Sequence, residues 1–155
     1  VVLGAAVAVV VVVMSNVTEP QLIAAENLPM VWPFVAPRLE AAMEKLEFVE
    51  YDLLYVLGLL QAQQAQLWVG GDAEMIAITR IGQYGQIKRL IVDFIEGVNY
   101  ENYTDHMEYI EHWAASLGAT QAEAELRPGL ERIARQQGWR KRRVKMYKHL
   151  NQGLH

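Results

Sequence analysis

The sequence predicts a single α/β domain on a mixed, twisted sheet of about five to six strands, in the order α-α-β-β-β-α-β-α-β. Three observations predict it. The 155 residues suffice for one domain with its own core and fall short of two ordinary ones. Apolar residues make up 52% of the chain and charged residues 21%, which describes a globular chain rather than a disordered one. Segments with helical periodicity also surround a block rich in β-branched and aromatic residues, and one of them stands between two strands.

The opening VVLGAAVAVVVVV reads unlike everything after it. As a helix it would reach roughly 20 Å, short of the ~30 Å hydrocarbon layer of a membrane. No basic region precedes it and no signal-peptidase site stands apart from its own alanines, so neither a transmembrane segment nor a secretory signal is expected. Residues 1–13 therefore read as a non-native or unassigned extension ahead of Met14-Ser15-Asn16, with 14–155 as the domain. As a native segment the run would be a sticky strand in need of a partner edge.

The stretch LPMVWPFVAPRLEAAMEKL brings three prolines and then a helix, with Pro37 suited to its first position. Leu39, Met43 and Leu46 recur at spacings of four and three, which leaves Arg38, Glu40, Glu44 and Lys45 outward. Asp52 is an N-cap candidate for a second helix, whose apolar face is Leu53, Leu54, Val56, Leu57 and Leu60. Composition then switches. Three runs at about 65–69, 74–81 and 87–95, separated by Gly70-Gly71-Asp72 and by a turn near Gly82–Gln86, predict an antiparallel meander. The third run, LIVDFI, is apolar almost throughout, as suits a central strand covered on both faces.

VNYENYT reads as a polar aromatic loop, after which Thr104 caps a helix lined by Met107, Ile110, Ala114 and Leu117 and ended by Gly118. TQAEAEL is a short strand, and the helical crossover makes it a parallel neighbour of 87–95. Pro128 starts the last helix, Leu130 and Ile133 point inward, Gly138 closes it, and RRVKMYKHL alternates like a final strand.

Charge is distributed unevenly. From Arg127 to His155 there are nine Lys/Arg against one acid, a sum of +8; residues 1–126 sum to −12. Such polarity points to one basic face on an acidic body. The absence of cysteine excludes disulfides, thiolate zinc sites and cysteine nucleophiles, and fits a reducing compartment.

The element order, with VWPFVAPRLEAAMEKL, AQLWVGG and RPGLERIARQQGWRK, resembles the GNAT N-acetyltransferase superfamily, and in particular small GNAT-like proteins encoded by tailed bacteriophages. The likeness covers roughly residues 30–150 and includes the closing helix, the glycine-aromatic pair Gly138-Trp139 and a final strand. It implies an acetyl-CoA site in which the pyrophosphate sits between the central strand and the next helix. The pattern there is Gln/Arg-x-x-Gly-x-Gly/Ala, because main-chain N–H groups and a helix N-terminus must meet the anion closely. The corresponding turn here is EGVNYENYTDH. It has Gly97 alone, no arginine or glutamine, and the acids Glu96, Glu101 and Asp105, which would repel a diphosphate. Glu96, Gly97, Val98 and Asn99 are the residues that would hold acetyl-CoA if it binds. The general-acid tyrosine of many members falls four residues before the closing glycine, where this chain has Ala134. Asp93 and Glu96 remain as candidate bases on or just after the central strand.

The resemblance thus implies a phage-encoded, catalytically degenerate GNAT-fold protein, a structural or interaction component of the virion, found in the host cytoplasm or the virion and needing no cofactor. Its partners would be proteins, through the virion or self-association. An acyl-CoA-dependent N-acetyltransferase with an atypical cofactor turn is the alternative, and a nucleic-acid-binding accessory protein the third. Arg140, Lys141, Arg142, Arg143, Lys145 and Lys148 could contact phosphates, with Trp139 and Tyr147 stacking on bases. The simpler reading is a solvated edge strand guarded by its charges, and a third use is docking against an acidic partner or a second copy. No metal is expected: His106 and His112, six apart, fall on nearly opposite sides of one helix, and His149 and His155 lie in the tail. GQYG fits a hairpin turn better than a phosphate cradle. Trp32, Trp68 and Trp113 read as core, whereas Tyr100 and Tyr103 flank the degenerate turn and are candidates for closing over a small ligand or peptide.

Overall fold

The computed structural model describes residues 19–45, 52–70, 75–97, 100–126 and 128–150. The chain divides into two compact units, the first ending at Glu125 and the second beginning at Leu126. The extension at 1–13, Met14, Leu46, Gly71, Asp72 and His155 lie outside the described residues.

In the first unit, helix α1 spans Leu28–Glu44, so it begins well before the expected start at Pro37. Pro29 sits in the first turn, where an N–H is not needed, but Pro33 and Pro37 are inside the helix. The three recur every four residues, hence share a face, and all three are exposed. Each interior ring removes an i→i−4 bond, and water can donate to the carbonyls left over on that side. The opposite face buries Leu28, Val31, Val35, Leu39, Ala42 and Met43. Helix α2 spans Leu53–Gln61 and is capped as expected: the Tyr55 N–H donates to Asp52 Oδ1 at 2.9 Å. Val56 and Leu60 are buried, but Leu54 is 79% exposed, contrary to expectation. It lies roughly 100° round the helix from Leu53, off the stripe formed by 53, 56, 57 and 60.

Five strands follow the order β1-β2-β3-β4-β5: β1 Gln21–Leu22, β2 Gln66–Val69, β3 Ile76–Tyr84, β4 Ile87–Glu96 and β5 Gln121–Ala124. The meander and the parallel β4–β5 pair are those the sequence predicts, whereas β1 is too short to leave a pattern. The β3–β4 turn is the pair Gly85-Gln86, with φ of 64° at Gly85, and Gly82 lies within β3. On one sheet face, Leu67, Val69, Ile76, Ile78 and Phe94 join the buried stripes of α1 and α2 in one core. On the other, Trp68 packs edge-on against Trp113, with ring centroids 5.0 Å apart, and against Tyr109 at 6.3 Å. Both rings come from helix α3, Tyr100–Ser116, which also buries His106, Met107, Ile110 and Ala114. Trp68 Nε1 donates to Thr79 Oγ1 at 3.0 Å, and that hydroxyl donates to Gln66 Oε1 at 2.9 Å.

Helix α3 starts at Tyr100, four residues ahead of the expected cap at Thr104. Between Tyr100 and Thr104 the sequence holds neither proline nor glycine, so nothing local halts the helix ahead of the expected cap. Its end is as expected. Gly118 has φ of 96°, and the Ala119 N–H returns to the Ala114 carbonyl at 3.0 Å. Leu117 lies past the last helical residue and is 46% exposed instead of lining the helix.

In the second unit, helix α4 spans Pro128–Gln136, buries Leu130 and leaves Ile133 half-buried. It closes at Gly138, φ 89°, with the Trp139 N–H donating to the Ala134 carbonyl at 3.1 Å. The expected final strand is not formed: residues 139–150 have no regular structure, and Arg140 to Leu150 are exposed. A strand exists only through a ladder with a neighbour. Six Lys/Arg without an acid among these residues also repel one another and favour an extended, hydrated chain.

Candidate active site at the end of the central strand

The sequence places its candidate base and coenzyme turn at the C-terminal end of β4, and a bulge shapes that end. Ile78 is opposite Phe94 and Thr79 is opposite Val92, so Asp93 is the extra residue on β4. The ladder with β5 stops at the same place, at Val92↔Ala124, while β4 runs on to Glu96. Beyond Val92, β4 continues for four residues past the end of β5.

The bulge turns Asp93 toward Arg80 of β3. The guanidinium grips the carboxylate as a fork, Nε to Oδ2 at 2.5 Å and one terminal nitrogen to Oδ1 at 2.9 Å. Asp93 is 9% exposed and Arg80 37%. Both carboxylate oxygens are thus engaged by a permanent cation, a geometry that ties β3 to β4. Glu96 faces Lys45, the residue that follows α1, Oε1 to Nζ 3.5 Å. Neither partner cation was singled out by sequence reasoning. The signal for Arg80 is an opposite charge on the facing strand, but its register with Asp93 depends on the bulge.

Gly97 is half-buried, and only residues 98 and 99 separate it from the start of α3. Val98 and Asn99 lie outside the described residues. Around this turn the sequence carries the acids Glu96, Glu101 and Asp105 and Gly97 as its single glycine. Ala134, which occupies the position of the family's tyrosine, is half-buried in α4 and offers its carbonyl to Trp139.

The other candidates separate. His106 is buried on α3 and His112 is exposed, so the two do not converge. Among the described residues no three His, Asp or Glu side chains cluster as a metal would require. A depression on α4 lined by Glu131, Arg132, Arg135 and Gln136 is open to solvent, and its Arg135 donates to Glu131 at 2.8 Å. Arg140, Lys141, Arg142, Arg143, Lys145 and Lys148 follow one another along the exposed segment after α4. No helix among the described residues is long and apolar enough to cross a membrane.

No protein-family model and no curated protein matches the chain. Solved structures do. An aminoglycoside acetyltransferase from an uncultured soil metagenomic sample, in complex with sisomicin, superposes with a TM-score of 0.64 at 14% identity, over 85% of this chain and 95% of its own. A ribosomal-protein-alanine N-acetyltransferase from Brucella melitensis biovar Abortus 2308 superposes with a TM-score of 0.61 at 15% identity, over 85% and 98%. The fold is that of the GNAT acetyltransferases. At such identities the GNAT likeness extends to the arrangement of elements, and the chemistry has to be argued from this chain's own side chains.

Proposed function

We propose that this chain is a catalytically degenerate GNAT-fold protein that serves as an interaction scaffold. The observation that carries the reading is the Arg80 fork on Asp93, which turns the best-placed carboxylate into a cross-strand clamp. The acidic, single-glycine turn and Ala134 in place of a tyrosine support it. The likeness to small phage-encoded proteins extends the proposal to a virion component that passes through the host cytoplasm, and that extension rests on the sequence alone.

The test is titration of the chain with acetyl-CoA by calorimetry, with thermal unfolding in parallel. Binding to the native state raises stability by RT ln(1 + [L]/Kd), so a real ligand cannot hide. We expect no saturable heat and no shift in melting temperature at micromolar coenzyme. A saturable shift would overturn the scaffold reading in favour of an acyl-CoA-dependent N-acetyltransferase with an atypical turn. One observation favours that second reading: β4 runs on past the end of its ladder with β5, and an extended, amide-bearing ligand such as a coenzyme A arm can pair with a strand edge.

A further inference from the structure

We propose that the exposed run Arg140–Lys148 is a binding track for a single strand of nucleic acid, with Tyr147 as the platform on which a base stacks. Every feature involved belongs to the second compact unit, Leu126–His155. That unit holds nine Lys/Arg and a single acid, Glu131, which already lies 2.8 Å from Arg135. Eight cations are thus in excess over the acids of the unit, which sets a strong positive field along it. The run is anchored where it begins, because the Trp139 N–H donates to the Ala134 carbonyl at the end of α4 at 3.1 Å.

Charge alone would suit any polyanion, and three features select a nucleic acid strand. The cations lie along a line, since residues 139–150 have no regular structure and Arg140 to Leu150 are exposed. At ~3.3 Å per residue an extended run from Arg140 to Lys148 covers about 26 Å, and at ~3.4 Å per phosphate it keeps pace with about eight stacked nucleotides. Three of the six cations are arginines, Arg140, Arg142 and Arg143, and a planar guanidinium takes two phosphate oxygens at once. The third feature is the aromatic ring. Successive side chains of an extended chain alternate, so Lys141, Arg143, Lys145 and Tyr147 share one side. Three cations therefore lead to a ring that is 41% exposed, and the Lys145 ammonium lies 5.1 Å from the centroid of that ring. An ammonium beside a ring supplies both contacts that a nucleotide needs, one for its phosphate and one for its base. A glutamate-rich peptide or an anionic lipid uses the charge but offers no base to stack. Contacts to phosphates and ring faces carry no sequence information, so the track accepts any sequence.

The track does not draw on the coenzyme turn, so its test and the titration above fail separately. The test is fluorescence anisotropy of a labelled, mixed-sequence DNA strand of about 20 nucleotides with the full chain, at ionic strengths from ~50 to ~200 mM. The slope of log K against log salt is expected between about −2, for the Lys141 side alone, and about −4, for all six cations, a loss of roughly 15- to 250-fold across that range. Lys141→Gln with Arg143→Gln and Lys145→Gln, all at exposed positions, should flatten the slope by about 2 and leave the circular dichroism unchanged. Tyr147→Leu should weaken binding roughly fivefold or more at every salt concentration with the slope unchanged, and Tyr147→Trp should restore it. No binding at ~50 mM salt overturns the proposal. A Tyr147→Leu variant that binds as wild type does overturns it too, because charge alone would then be at work. So does tighter binding to a glutamate-rich peptide or to phosphatidylserine vesicles than to the DNA strand.

Discussion

At the scale of single residues the clearest feature is that the polar groups within the sheet are paired to each other. The Arg80–Asp93 fork spans two strands with one partner almost wholly buried. Removing Arg80 alone leaves a carboxylate in a desolvated place without its cation. A double-mutant cycle with Arg80→Met and Asp93→Asn is expected to give a coupling of about 1–3 kcal/mol in urea unfolding, the partial exposure of Arg80 holding it below the value for a fully buried pair. A coupling indistinguishable from zero would remove the clamp from the argument. Thr79→Val is the neutral counterpart. It keeps the shape but leaves the Trp68 indole N–H and the Gln66 oxygen without their shared hydroxyl, for an expected loss of about 1–3 kcal/mol. None of these pairs was legible from sequence, because Arg80 and Asp93 are thirteen residues apart and meet only through a bulge.

At the scale of elements, periodicity located the strands and the crossover helix within a few residues, because one buried face per element leaves a pattern in the sequence. Local punctuation misled where tertiary packing outweighed it. Prolines were read as the boundary of α1, yet the helix runs through Pro33 and Pro37 because they face water while Val31, Val35 and Leu39 hold the opposite side in the core. This arrangement predicts that Pro33→Ala stabilises the protein. A proline inside a helix costs about 3 kcal/mol relative to alanine, and the freer unfolded chain of the variant returns only ~0.4–1 kcal/mol of the difference. Because this helix already accommodates the ring at a solvated position, a net gain of about 1–2 kcal/mol is expected, read as a higher melting temperature. A lower one would mean that the proline, not the apolar face, sets the course of α1. At α2 the sequence was sufficient, since Asp52 caps where its side chain can reach the third N–H.

At the scale of the molecule, the GNAT fold was legible because it is written in the order of elements, and order survives when individual residues drift. The site was only half legible. What a turn lacks, such as a second glycine or a tyrosine at 134, is visible in a string of letters, but the partners that occupy Asp93 and Glu96 are not. The last strand was misread for a different reason: alternation records that a segment is fit to be a strand, not that it forms one. That distinction leads to a prediction for the chain ended after Trp139. No described residue from Arg140 onward is buried, so the shortened protein gives up no core. It also gives up six Lys/Arg and no acid, which takes the net charge from −4 to −10. The unfolding free energies of the two forms in urea should agree within about 0.5 kcal/mol, as for exposed positions generally. A shortened chain that is much less stable would show that the fold needs the basic segment.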